Sequence, residues 1–101
     1  MNDKPFKIFV VEDNVLYAQV LKKQLVDDGY SVKTFHNGRD FLASLDENPD
    51  VVTLDYTLPD ISGHDVLRKI QKRKPDTNVI VILQEGVVDS YNSYFFHEFS
   101  F

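Results

Sequence analysis

The chain of 101 residues reads as an α/β protein in which helices cover both faces of a parallel sheet. Three observations predict this. Four short apolar stretches alternate with segments of helical period. Three of the four are apolar nearly throughout, which only burial on both faces tolerates. They begin near residues 7, 31, 50 and 78, about 24 residues apart, room for one strand, one helix and two loops in each unit.

The first stretch, residues 6 to 11 (FKIFVV), is rich in β-branched and aromatic residues and ends abruptly at Glu12, Asp13 and Asn14. It reads as a buried strand followed by an acidic loop. From Val15 to Asp28 the period changes to that of a helix. Leu16, Val20, Leu21, Leu25 and Val26 recur at spacings of three and four, with Lys22, Lys23 and Gln24 on the other face and Gly29 as C-cap. The second unit has a strand at Ser31 to Phe35, a turn at Asn37-Gly38 and a helix at Arg39 to Asp46 burying Phe41, Leu42 and Leu45. Pro49 closes it. The third unit opens with the strand Val51 to Leu54, then Asp55 and the loop DYTLPDISG. Its helix, His64 to Lys74, turns Val66, Leu67 and Ile70 inward and Arg68, Lys69, Lys72 and Arg73 outward. Pro75 ends that helix, and Val79 to Leu83 supply the fourth strand.

Beyond Leu83 the pattern changes. The tail QEGVVDSYNSYFFHEFSF holds four of the eight phenylalanines and two of the five tyrosines, and the β propensity of Tyr94 to Phe99 favours a last strand there. Without a following helix one sheet face stays uncovered, unless the tail folds back over it or another chain covers it.

Composition narrows the function. With 43% apolar and 27% charged residues, residues 1–101 form one domain able to bury a core unaided. The absence of cysteine removes disulfides, thiolate metal sites and thiol nucleophiles. A net charge of −5 argues against direct binding of a nucleic-acid backbone. No apolar run approaches the roughly 18 residues of a membrane span, and the start resembles no signal peptide, so a cytoplasmic protein is expected.

In an open parallel sheet, binding residues gather at the carboxyl ends of the strands. With strands in the order 2-1-3-4, Glu12 and Asp13 from the first strand would crowd against Asp55 from the third. Like charges so placed are costly unless a hard cation sits among them, and an all-oxygen site suits magnesium. The plainer reading, solvated strand ends, accounts poorly for a paired acidic end, a lone Asp and a Pro and Gly four and eight residues beyond it.

These residues resemble the receiver domain of bacterial two-component response regulators, the CheY-like family with a flavodoxin-like, three-layer α/β/α fold. The resemblance rests on IFVVEDN, on DDGYSV, on Asn37-Gly38 and on VVTLDYTLPDISGHDVLRKI, and spans residues 6 to about 83. It implies strand order 2-1-3-4(-5) and a single receiver domain. Asp55 corresponds to the aspartate that takes a phosphoryl group from a histidine kinase or phosphotransfer protein. Glu12, Asp13 and Asp55 correspond to magnesium ligands, joined by the backbone carbonyl of Thr57, two residues past the acceptor and just beyond Tyr56. In the family, the residue corresponding to Thr57 also supplies a side chain that modulates dephosphorylation. Pro59 and Gly63 correspond to residues that shape the loop. The chemistry agrees: carboxylate attack on phosphorus needs a nucleophile held in line and a cation to offset charge on the equatorial oxygens.

The chain also departs from the family. The Ser or Thr that ends the fourth strand is replaced at the switch position by Leu83 or Gln84; leucine cannot donate, and glutamine does so from a longer amide. The family's lysine after the fifth strand has no counterpart, since no lysine follows Lys74, and the last strand and helix are incomplete or altered. His97 is the only basic residue of the tail, and a histidine among phenylalanines is an ordinary surface or packed residue.

The leading reading is therefore a phosphorelay receiver that signals through protein contacts. A pseudo-receiver, a binding module of the same fold not switched by phosphorylation, is the alternative. A conventional enzyme is not expected: no second base or nucleophile accompanies the carboxylates, His36 and His64 each stand isolated, and at most magnesium-dependent self-phosphorylation and autodephosphorylation of Asp55 remain. Self-association through the aromatic tail or a fourth-helix face to give a homodimer is a further expectation.

Overall fold

A computed structural model of the chain describes residues 5–82 and the strand 88–91. The elements run β1 (Lys7–Val11), α1 (Val15–Asp27), β2 (Ser31–Phe35), α2 (Gly38–Ala43), a 3-10 turn (Leu45–Glu47), β3 (Val51–Asp55), α3 (Gly63–Arg73), β4 (Asn78–Ile82) and β5 (Val88–Tyr91). The sheet order is β2-β1-β3-β4-β5, with the first four strands parallel. The expected order 2-1-3-4 is thus present. β5 joins antiparallel to β4, with Val79 opposite Tyr91 and Ile82 opposite Val88. The reason is chain length: five residues separate Ile82 from Val88, enough for a hairpin and too few for a crossover helix. Leu83, Gln84, His97 and the segment Tyr94 to Phe99 lie outside the described residues.

Among the described residues, the two faces of the sheet are unequally filled. On the side of α2 and α3, Phe9, Val11, Phe35, Phe41, Leu45, Val52, Leu54, Val66, Leu67, Ile70, Val79 and Val81 form the main core. Three of its rings, Phe9, Phe35 and Phe41, lie 5.0 to 6.4 Å apart between centroids at tilted or edge-to-face angles. On the opposite side Ile8, Val10 and Ala18 are buried, with Leu21, Leu25, Val32 and Val51 packed against them.

That second cluster corrects the expected face of the first helix. α1 sits on the sheet through Ala18, Leu21 and Leu25, whereas Leu16 is 71% exposed, Val20 58% and Val26 46%. At 100° per residue, positions 18, 21 and 25 share one stripe and 16 and 20 point away from it, so apolar spacing alone selected a mixture of two faces. Gly29 ends α1 as expected, at φ +98°, in a Schellman motif: its N–H donates to Val26 O and that of Tyr30 to Leu25 O.

The second helix is shorter than its pattern. It stops at Ala43, and the chain tightens into the 3-10 turn before Asn48 takes the left-handed conformation at φ 58°. Phe41 and Leu45 are buried all the same. α3 buries Val66, Leu67 and Ile70 as its spacing predicts, begins at the Ser62 N-cap and places Lys72 and Arg73 in its last turn.

Candidate functional site

The parallel register Val11↔Leu54 sets the ends of β1 and β3 side by side, so Glu12, Asp13 and Asp55 meet at the carboxyl edge of the sheet. Each offers an oxygen, and these oxygens lie within 4.8 Å of one another. Glu12 is buried, Asp55 half-buried and Asp13 exposed. Loss of solvation on burial, above all, raises the Glu12 carboxyl to about 7; the Asn14 N–H opposes this, while a hydrogen bond to Asp55 and the charge of Asp55 add to it. Burial likewise raises Asp55, against the N–H of Thr57 and a hydrogen bond from Glu12. Both carboxyls are thus harder to ionise than free ones, with burial the largest cause in each. A cluster this crowded and oxygen-only could hold a hard divalent cation such as magnesium.

Backbone bonds hold the carboxylates in place. Glu12 Oε2 accepts from Asn14 N–H at 3.1 Å, and Asp55 Oδ1 accepts from Thr57 N–H at 3.0 Å. Asn14 also caps α1 by accepting the Tyr17 N–H at 2.9 Å, so the acidic turn and the helix entry form one unit.

The loop after Asp55 is shaped by a close approach. A Cβ on Gly63 would stand 2.6 Å from Tyr56 Cα, and the Gly63 N–H donates to Tyr56 O at 3.0 Å. Glycine is required here for closeness rather than for its φ. Pro59 and Thr57 lie exposed in the same loop, and Tyr56 and Leu58 pack against the core.

Two residues escaped the sequence reading. Asp60 accepts from both Gly38 N–H and Arg39 N–H at 2.9 Å, binding the loop to the start of α2, and these donors, Gly38 first, hold its carboxyl below the usual range. A lone Asp after Pro59 carries no signal for a partner 22 residues away. His36 is not isolated: its Nδ1 lies 2.9 Å from the carbonyl oxygen of Glu12. Its place directly after a strand next to the acidic strand was the available clue.

Residues 8–95 match the response regulator receiver domain family. The chain is 32% identical over 87 residues to the transcriptional regulatory protein TrcR of Mycobacterium tuberculosis, covering 84% of this chain and 34% of TrcR. It is 34% identical over 82 residues to the luminescence regulatory protein LuxO of Vibrio campbellii, covering 80% of this chain and 18% of LuxO. It therefore spans about a third or less of these relatives. Among solved structures it resembles the response regulator TrrA of Thermotoga maritima, determined in complex with Mg(2+)-BeF, at TM-score 0.71 and 36% identity over 75% of this chain and 67% of that one. It resembles the BeF3-activated DrrB receiver domain at TM-score 0.71 and 39% identity, over 78% and 66%. With this sheet order, this acidic edge and these matches, the chain belongs to the response regulator receiver domain family.

Proposed function

We propose that this receiver takes a phosphoryl group on Asp55 from a histidine kinase or phosphotransfer protein and signals through protein contacts. The observation that carries the reading is the meeting of Glu12, Asp13 and Asp55 at the end of adjacent parallel strands. Glu12, Asp13, Asp55 and the Thr57 carbonyl would hold magnesium, which supplies positive charge against the phosphoryl oxygens. The Thr57 N–H binds Asp55 Oδ1 and so orients the carboxylate. An Asp55 oxygen attacks phosphorus, the O–P bond forms as the phosphoramidate N–P bond breaks, and the leaving imidazole takes up a proton. Gly63 and Pro59 would keep the loop in the shape that holds Thr57 near the acceptor.

The proposal sets the chain in the cytoplasm beside its kinase. Among the described residues no helix is long and apolar enough to cross a membrane. TrcR and LuxO are named as regulators, and DNA contacts of a longer protein would belong to parts other than this acidic domain.

A pseudo-receiver is the second reading, favoured by Leu83 or Gln84 at the switch position. One experiment divides the two. Incubation with magnesium and acetyl phosphate should add about 80 Da to the intact mass, one phosphoryl group, and Asp55→Ala should abolish the addition. An unlabelled wild type, under conditions that label another receiver, decides for the pseudo-receiver.

A further inference from the structure

We infer that His36 is a positioning residue for the acidic pair, fixing the peptide that links Glu12 to Asp13. The inference rests on the magnesium reading above and extends it to a residue that would not itself touch the metal. The hydrogen-bond ladder between β1 and β2 explains why a side chain is needed. Glu12 N–H donates to Phe35 O at 2.8 Å, the last rung on the β2 side. In a parallel ladder the next rung would bring the N–H of Asn37 to Glu12 O. The chain instead turns away at Asn37, whose φ of −153° and ψ of 165° and whose side chain, accepting the Asp40 N–H, commit it to capping α2. The His36 ring takes the place of the missing rung, with Nδ1 at 2.9 Å from Glu12 O.

A carbonyl oxygen only accepts, so the hydrogen resides on Nδ1 and the tautomer is set by this contact. Phe35 and His36, adjacent residues, thereby hold both backbone polar groups of Glu12, while Asn14 N–H holds its carboxylate. Because a peptide is planar, anchoring the Glu12 carbonyl also orients the bond to Asp13 and the direction in which the exposed Asp13 side chain leaves. An outer contact of this kind acts on metal affinity through the ligands it orients.

The test uses the full chain and magnesium alone, with binding followed by titration calorimetry. His36→Ala should weaken magnesium affinity about tenfold, at the lower end for loss of an outer-shell contact, with an unchanged far-UV spectrum. His36→Asn, whose amide N–H reaches from nearly the position of Nδ1, should return the affinity to within about twofold of wild type, a rescue that ring packing would not produce. Nitrogen NMR of the wild type should show the hydrogen on Nδ1. Equal affinity of wild type and His36→Ala, an Asn variant as weak as Ala, or a hydrogen on Nε2 overturns the positioning role while leaving the magnesium reading intact. A wild type that binds no magnesium overturns both.

Discussion

Gly63 and Tyr56 show how one atom decides the shape of the loop after Asp55. Their backbones meet so closely that the added methyl of Gly63→Ala would press on Tyr56 Cα, its ring and its carbonyl oxygen. The variant should lose about 1–3 kcal/mol, the usual cost of overpacking, read as a lower midpoint in urea unfolding. A glycine eight residues past an aspartate suggests loop geometry in the sequence, but which of its two uses applies, left-handed backbone or close approach, depends on what lies opposite. Glu12 carries a similar lesson. Its position after an apolar strand marks it as a candidate site residue, while its carboxyl near 7 results from burial and from Asp55, which another strand brings beside it.

At the scale of elements, α1 presents two apolar stripes, and only one meets the sheet. Replacing Leu16 or Val20 with lysine should change stability by no more than about 0.5 kcal/mol, since both side chains already face solvent. Leu21→Ala should cost roughly 1–2 kcal/mol, less than a fully buried leucine, because Leu21 packs on Ile8, Val10 and Ala18 while partly exposed. Equal losses at positions 16 and 21 would place the sheet-facing stripe elsewhere. The third helix is easier to read. α3 has a single apolar stripe against strongly charged outer positions, so Val66, Leu67 and Ile70 leave no second choice, whereas α1 mixes apolar residues around its circumference. The early end of α2 has a different origin: a 3-10 turn and the left-handed Asn48 are local conformations that an apolar period does not register.

For the whole molecule, the acidic edge should link stability to pH and, with the proposed metal site, to magnesium. A carboxyl that is raised from 4.5 unfolded to about 7 folded binds more protons in the native state between those values. Its contribution is complete below 4.5 and is lost as pH rises through about 7. The metal-free chain should therefore melt at a higher temperature near about pH 5.5 than near about pH 7.5 from this group, and Glu12→Gln should flatten the difference. Magnesium at a hundred times its dissociation constant should add about 2.7 kcal/mol of stability at the higher pH, and less at the lower, where protons compete for Glu12. Thermal melts with and without a chelator measure all three effects.

The sequence by itself determined the layered α/β class, the four parallel strands, the buried stripe of α3, and the candidacy of Glu12, Asp13 and Asp55. Those features follow from apolar period, turn chemistry and the rule that loops meet at the carboxyl ends of parallel strands. Tertiary structure alone decided which stripe of α1 meets the sheet, that β5 returns antiparallel, that Asp60 locks the start of α2, and that His36 reaches the Glu12 carbonyl. Each of these depends on which groups from distant parts of the chain arrive beside one another. Helical and strand periods describe the side a residue faces, and only the packed molecule supplies its neighbour.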